Sequence, residues 1–189
     1  DIWKIDLTVG RAPVNLLGGQ SGRKDKIMTR YVRTDPEERF INTNGGLLVR
    51  RFNTLTKKEN FSVLYPKKLY ANMPFGNYVY GPPVKAKDRD VFIYTKESYV
   101  EPPDIYLVNN LVDSVAAVQE QKLSSIDLQQ KDYNWGTAEL FKWKTFKGRE
   151  ATGILYKPED FDPARKYPVI LYFYETLTNG LNNYIPPAP

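Results

Sequence analysis

The sequence of 189 residues contains no cysteine and no histidine. The lack of cysteine excludes disulfides, zinc sites built on thiolates and cysteine nucleophiles. The lack of histidine excludes a Ser-His-Asp triad, a Cys-His pair and any metal site with histidine ligands within these residues. We therefore expect no bound metal, no cofactor and no complete hydrolase active site of the conventional kind.

Long apolar runs are missing as well. No stretch approaches the ~18 consecutive apolar residues that a membrane-spanning helix requires, so we expect no membrane span. The sequence has neither an initiator methionine nor a basic-then-apolar leader, which we interpret as a signal peptide that was removed or never included. Hydrophobic residues make up 41% of the chain and charged residues 26%, a composition typical of a folded globular protein.

The charge balance is moderately positive, with 27 basic and 22 acidic residues and a net charge of +5. An excess of positive charge raises the expectation of a nucleic-acid or acidic-lipid partner. The basic side chains, however, are interleaved with acidic ones at 57–59, 87–90 and 147–150, and basic residues occur at most in pairs. We interpret them as a solvated surface and expect no nucleic-acid partner.

Aromatic residues make up 14% of the chain, and its 14 tyrosines and 14 prolines suit short strands separated by turns. Alternation of apolar and polar residues predicts strands along most of the chain, whereas helical periodicity is scarce. The predicted strands are Ile2–Leu7, Ala12–Leu17, Ile27–Arg33, Phe40–Asn42, Gly46–Asn53, Phe61–Tyr65, Asp90–Thr95, Asp104–Asn109, Val115–Val118, Ala138–Thr145 and Glu150–Tyr156. Asn44-Gly45 predicts a hairpin turn, 66–83 an irregular loop, and 124–134 a short helix or a linker.

Segments that begin near residues 1, 47 and 104 resemble one another faintly, at a spacing typical of propeller blades of about 40–50 residues. A generic β-meander is the alternative. The composition changes near Ala138, and a proline-containing loop at 158–166 is followed by the continuous apolar run Val169–Tyr174. Such a run predicts a strand buried on both faces, as inside an α/β sheet.

The segment from Gly153 to Tyr172, GILYKPEDFDPARKYPVILY, resembles the start of the catalytic domain in the prolyl oligopeptidase family of serine peptidases, which includes the dipeptidyl peptidases. The resemblance implies a mainly β chain in two parts. Residues 1–137 would be antiparallel β-propeller blades, and residues 138–189 the opening strands of an α/β-hydrolase sheet. It also implies a parent protein that hydrolyses short peptides by Ser-His-Asp acyl transfer, with the propeller restricting access to the site.

The family's nucleophile lies in a G-x-S-x-G elbow after this strand. The nearest pattern here, Gly19-Gln20-Ser21-Gly22-Arg23, lacks the closing glycine, and we reject Ser21 as a nucleophile. We therefore expect an incomplete piece that spans the junction of propeller and hydrolase. It would be inactive alone, and the remainder of the parent chain would be its partner.

One catalytic position is implied by the resemblance to the dipeptidyl peptidases, in which a tyrosine at the end of this strand donates its hydroxyl to the oxyanion. Tyr174 occupies that place. A phenol directed at the developing charge in a dry site contributes about 3 kcal/mol to transition-state stabilisation. The Gly-Pro pattern that follows in the family is replaced by Glu175-Thr176-Leu177, and the alternative is a buried core aromatic.

Other features admit two interpretations each. The carboxylates of Glu159, Asp160 and Asp162 suit acid–base chemistry or a cation, but a solvated loop is the simpler interpretation. Tyr78 and Tyr80 suit either a shelf for a peptide or packing between blades. The alternative function is a non-catalytic β-propeller-like module that binds a peptide or glycan through exposed tyrosines and tryptophans. We expect a periplasmic or extracellular location, with the cytoplasm as the alternative, and allow for a homo-oligomer.

Overall fold

The computed structural model describes residues 2–17, 26–65, 68–70, 73–113, 116–126, 128–174 and 176–186. This part of the chain is mainly β and is organised as several antiparallel sheets. The strands are β1 (Trp3–Lys4), β2 (Val14–Asn15), β3 (Ile27–Tyr31), β4 (Leu47–Asn53), β5 (Glu59–Tyr65), β6 (Lys68–Tyr70), β7 (Val79–Tyr80), β8 (Val84–Lys85), β9 (Val91–Ser98), β10 (Glu101–Asn109), β11 (Glu120–Lys122), β12 (Thr137–Lys144) and β13 (Glu150–Lys157). Single 3₁₀ turns occur at Gln130–Asp132 and Leu177–Gly180.

The first sheet is a four-stranded antiparallel meander in which β3, β4, β5 and β6 pair in chain order. Its central strands are apolar on both faces. Leu48 and Phe61 lie in one core cluster, whereas Val49 and Leu64 lie in another on the opposite face. A sheet buried on both faces must be covered by two other layers.

The second sheet supplies one of these layers. It contains β11, β10 and β9 side by side, and both β7 and β8 pair with β9, at different positions along that strand. Phe92 and Tyr94 of β9 pack against the first sheet. The ring of Phe61 lies 5.2 Å from that of Tyr80 and 5.5 Å from that of Tyr94, measured between centroids. Burying a side chain of this size stabilises the fold by about 1.5–3 kcal/mol.

The N-terminal segment covers the other face of the first sheet. Here β1 and β2 form a two-stranded antiparallel ribbon. Leu17, just after β2, is buried against Val49 and Leu64, with Ile2 and Leu16 packed around them. The first sheet is therefore the middle layer of three.

The strands β12 and β13 form a separate hairpin, with registered pairs from Thr137–Lys157 to Lys144–Glu150. Its turn is closed by hydrogen bonds from Gly148 N to Thr145 O and from Thr145 N to Arg149 O, both 2.8 Å. Gly148 has a φ of +74°, a conformation that glycine adopts without steric cost. The predicted pairing of 138–145 with 150–156 is confirmed.

Several local predictions were wrong. The segment 40–42 is not a strand, and β4 pairs with β3 and β5 instead of forming a hairpin through Asn44-Gly45. The predicted loop 66–83 contains β6 and β7. The predicted strands at 2–7 and 12–17 are reduced to the short β1 and β2, because most of their side chains have no layer to pack against.

The prediction around the second sheet also needs correction. Pro102 and Pro103, expected to lie between strands, belong to β10 at a register shift between Glu101 and Asp104. Proline is tolerated there because β11 pairs only with the far end of β10, at 106–108. Residues 116–118 are not a strand, Val115 lies outside the described residues, and the next strand is β11. The strands that begin the faint repeat near residues 47 and 104 also do not occupy equivalent places in their sheets. Counted in chain order, β4 is second in its sheet, whereas β10 is third in the path β7-β9-β10-β11.

The largest correction concerns Val169–Tyr174, which is not a buried strand. The six residues are irregular in conformation, and each is between 75% and 95% exposed. A strand takes its backbone hydrogen bonds from a neighbouring strand, and the described residues place none beside this run. Among the same residues, no helix is both long enough and apolar enough to span a membrane.

Candidate functional site

Tyr174 ends the apolar run, and its side chain is 77% exposed. It is therefore not a buried core aromatic in this structure. The phenol is free to act as a hydrogen-bond donor to a group that approaches from outside. The chain has no histidine that could serve as its general base, and Ser21 lies outside the described residues.

The loop that leads to the run is held by local contacts. The rings of Phe161 and Tyr167 stack with centroids 5.2 Å apart, and Asp162 N donates to the Tyr167 hydroxyl at 2.9 Å. The Asp162 carboxylate accepts the Ala164 N–H at 2.9 Å and so closes a turn. No group of three or more acidic side chains suited to a metal forms among the described residues, which favours the solvated-loop interpretation of this acidic segment.

The segment that follows Tyr174 is anchored to the first sheet. Lys57, in the turn between β4 and β5, donates from its Nζ to Asn179 Oδ1 at 3.0 Å. In return, Asn182 Nδ2 donates to the Lys57 carbonyl oxygen at 2.8 Å. Lys57, Leu181 and Asn182 are all buried. Burial lowers the pKa of the Lys57 ammonium group from its ordinary value, since desolvation disfavours the charged form.

The same segment also contacts the second sheet and its C-terminal connection. Tyr184 N donates to Glu97 Oε1 at 3.2 Å, and the Tyr184 ring stacks on Trp135 at 5.1 Å with an interplanar angle of 11°. Trp135 Nε1 in turn donates to the Tyr99 carbonyl oxygen at 2.8 Å. Residues 177–184 are thus held from two sides, by the first sheet and by the end of the second. No sequence signal identified these contacts, which join positions up to 125 apart.

A partly buried cluster surrounds Lys96 and was not predicted from the sequence. Its ammonium lies 4.2 Å from the ring centroid of Tyr78 and 4.6 Å from that of Tyr106, and it pairs with Glu120 at 2.6 Å. Tyr94 donates its hydroxyl to the other oxygen of Glu120 at 2.6 Å. Burial, then this hydrogen bond, raise the pKa of Tyr94 strongly. The i, i+2 spacing of Tyr94 and Lys96 on one strand face is the signal that was available.

This cluster is structural. The Tyr94 hydroxyl, the Lys96 ammonium and the Glu120 carboxylate are all paired with one another, and polar groups satisfied in this way fix the arrangement of the surrounding strands. Tyr80 is buried in the core next to it, so its ring packs between the two sheets and is not available as a peptide shelf. Tyr78 is only partly buried, but its ring is already occupied by Lys96.

Tyr174 does not line either of two clefts that lie among the described residues. One lies between β2 and β4 and is lined by Leu16, Leu47 and Leu64 among others. The second is bounded by charged residues of 85–90 together with Asp113. Within it, Asp90 Oδ2 accepts the N–H groups of Val112 and Asp113 at 2.8 and 2.6 Å, so this carboxylate fixes the approach to β9.

No family model and no curated protein matches the chain. The candidate site is described by its geometry. An exposed tyrosine follows an exposed apolar run, and it is tethered on its C-terminal side by a segment that is anchored to both sheets.

Proposed function

We propose that this chain is part of a serine peptidase of the prolyl oligopeptidase type. Residues 1–137 would supply partial β-propeller blades and residues 138–189 the first strands of an α/β-hydrolase domain. The parent protein would cleave short peptides by acyl transfer: the serine hydroxyl attacks the scissile carbonyl, a histidine takes its proton, and an acyl-enzyme forms as the amine leaves. Serine and histidine would both lie in the remainder of the parent chain.

The observation that carries this proposal is the succession of elements along the chain. Two consecutive antiparallel sheets pack face to face through Phe61, Tyr80 and Tyr94, an arrangement that neighbouring propeller blades share. The chain then forms the β12–β13 hairpin and continues into the apolar run. Blades, hairpin and apolar strand in this order are what the resemblance implies.

The exposure of the run also supports the proposal. Six consecutive apolar or aromatic side chains in water are unfavourable, at about 25 cal/mol per Å² of apolar surface. The remainder of the parent chain would supply strands that pair with the backbone of the run and helices that cover its two faces. Under this proposal, Val169–Tyr174 becomes a strand only in the complete hydrolase domain.

Within that domain, Tyr174 would donate its hydroxyl to the oxyanion of the tetrahedral intermediate. The bond would form only as charge develops on the carbonyl oxygen, so it would accelerate the chemical step and not substrate binding. In the peptidase extended to its natural C-terminus, Tyr174→Phe should lower kcat by about 10²-fold and leave KM unchanged. Steady-state kinetics on a short peptide substrate measure both constants, and an unchanged kcat would remove Tyr174 from the mechanism.

The proposed function itself is tested by labelling with a fluorophosphonate, which reacts with activated serines, followed by intact-mass spectrometry. This chain should remain unlabelled, whereas the chain extended to its natural C-terminus should gain one adduct on an elbow serine. An adduct on this chain would contradict the proposal, because it would place the nucleophile within these residues. An adduct on neither protein would contradict it as well and would favour a binding module.

The binding-module alternative has one observation of its own. Phe141 and Trp143 stack with centroids 6.0 Å apart on one face of the β12–β13 hairpin and are 51% and 44% exposed. Exposed aromatic faces of this kind bind sugars and peptide side chains. A module of this type would bind a peptide or glycan without labelling by fluorophosphonate in either form, and Trp143→Ala would abolish that binding.

A further inference from the structure

We propose that residues of the two sheets act as positioning residues for Tyr174 by clasping the segment that follows it. The clasp consists of Lys57, Glu97 and Trp135 on one side, and Asn179, Asn182 and Tyr184 on the other. This inference rests on the proposed role of Tyr174. It adds that the sheets, and not only the hydrolase strands, determine where the phenol lies.

Lys57 contacts the segment through both its side chain and its backbone. Its side chain donates to Asn179 and its backbone carbonyl accepts from Asn182. This one residue therefore binds the segment at two positions. Buried hydrogen bonds to a charged donor are the stronger kind. Lys57 is 7% exposed and Asn182 is 6% exposed, so water does not compete readily for the bond between them, which is buried. The bond to Asn179 is partly buried, because Asn179 itself is exposed.

The turn that contains Lys57 is held rigid by hydrogen bonds. Asn53 Oδ1 accepts the N–H groups of Leu55 and Thr56 at 2.9 and 3.0 Å, and Lys57 N donates to Asn53 O at 2.8 Å. Lys57 has a φ of +62°, a region that few residues other than glycine occupy. A lysine in this conformation is held by its surroundings, and its side chain is aimed at the segment it binds.

The clasp lies only a short distance along the chain from the phenol of Tyr174. Only three residue steps separate Tyr174 from Leu177, where the anchored 3₁₀ turn begins. A fully extended chain spans at most ~3.3–3.6 Å per residue, so the Cα of Tyr174 stays within about 11 Å of that of Leu177. Fixing residues 177–184 on the sheets therefore limits the distance of Tyr174 from the clasp, even before the apolar run acquires a partner strand.

The clasp can be tested directly on this chain, because the absence of cysteine allows clean placement of two spin labels. One label replaces Tyr174 (Tyr174→Cys), and the reference label replaces Ile105 (Ile105→Cys), which is exposed on β10. Electron spin resonance then gives the distribution of distances between them. We expect a narrow distribution with the native clasp and a broad one after Lys57→Met or Asn182→Ala.

Two controls keep this test decisive. Lys58→Met changes the neighbouring lysine, which is not part of the clasp, and should leave the distribution narrow. Lys57→Arg retains a charged donor and should restore most of the narrow distribution. If Asn182→Ala and Lys57→Met both leave the distribution narrow while the chain stays folded by circular dichroism, the clasp does not position Tyr174 and the inference is overturned.

The kinetic consequence is measured in the extended peptidase. Asn182→Ala should lower kcat about tenfold with KM unchanged, and it should have no further effect when combined with Tyr174→Phe, because the two changes remove the same interaction. An equal tenfold loss in both backgrounds would overturn the positioning role. Failure of the proposed function would be recognised separately, by the absence of the fluorophosphonate adduct, and would leave the spin-label result for this chain intact.

Discussion

The two sheets and the region after residue 137 contain similar apolar side chains but use them differently. In the sheets, Phe61, Phe92 and Val108 are completely buried and surrounded by partners from other strands. After residue 137, Phe146, Ile170 and Phe173 are at least 86% exposed. The comparison shows that apolar strand-forming residues are buried only where the chain also provides neighbouring strands and a covering layer.

The polar groups of the two regions differ in burial just as the apolar groups do. Asp104 of the second sheet is buried and bonded to three groups, whereas the ion pair between Glu139 and Lys157 lies on the surface of the β12–β13 hairpin. Buried charges require such partners, while exposed pairs contribute little. Substitutions in the two regions should therefore have unequal effects on stability.

The largest effect should come from Phe61→Ala. The side chain is 0% exposed and lies between the rings of Tyr80 and Tyr94, so its removal leaves a cavity between the two sheets. We expect a loss of about 3–5 kcal/mol in the free energy of unfolding, measured by urea denaturation. The matched control is Phe173→Ala, which should change that free energy by no more than ~0.5 kcal/mol. Equal losses for the two variants would abolish the distinction between the regions.

A smaller, pH-dependent effect should come from Asp104→Asn. Asp104 pairs with Lys122 at 2.5 Å and accepts hydrogen bonds from the Ser124 hydroxyl at 2.6 Å and the Ile126 N–H at 3.1 Å. Burial alone would raise the pKa of Asp104, but these contacts outweigh it, and the pKa lies below its ordinary value. A lowered pKa in the folded state stabilises the protein above about pH 4. That contribution is lost as the pH falls through the folded-state value.

We therefore expect Asp104→Asn to cost about 2 kcal/mol at pH 7, with the two stability curves converging under acidic conditions. Urea denaturation at a series of pH values provides the measurement. Glu139→Gln in the hairpin, where the acidic side chain is 51% exposed, should cost under ~1 kcal/mol at neutral pH. A parallel displacement of the Asp104→Asn curve at every pH would show that the carboxylate charge is not what stabilises this part of the sheet.

Substitutions in the apolar run should have the smallest effect on folding but a clear effect on solubility. Six exposed β-prone residues without charge or proline form a segment prone to aggregation. Ile170→Lys combined with Phe173→Lys should reduce self-association, measured by light scattering against concentration, while unfolding free energy changes by no more than ~0.5 kcal/mol. Phe40→Lys, at a residue outside the run that is 85% exposed, is the control and should leave association unchanged. Undiminished association of the double variant would show that another surface drives it.

Much of the fold was predictable from local patterns. The mainly β character, the β12–β13 hairpin and strands β3, β4, β5 and β9 follow from alternation and turn residues, which are properties of adjacent positions. The prediction failed where proline lies inside β10 and where the loop 66–83 contains short strands. In both places, pairing with another strand determines the structure: β10 and β7 pair with β9, and β6 pairs with β5.

The candidate site was predictable only in part. Tyr174 was chosen by resemblance, and its catalytic role stays a prediction; its exposure and its tether to the sheets came from the structure. The contacts of Lys57 with Asn179 and Asn182 have no signature in the sequence. They join residues more than 120 positions apart, and only the folded chain brings them together.

The sequence by itself determined which chemistry these residues lack, because a missing histidine or cysteine cannot be supplied by folding. It also determined that strands and turns dominate, since these depend on residue type and short-range spacing. Only the tertiary structure decided which apolar segments are buried. Phe61 is covered by the second sheet, whereas Val169–Tyr174 has no cover among the described residues. The physical reason is that a strand obtains its hydrogen bonds and its cover from distant parts of the chain.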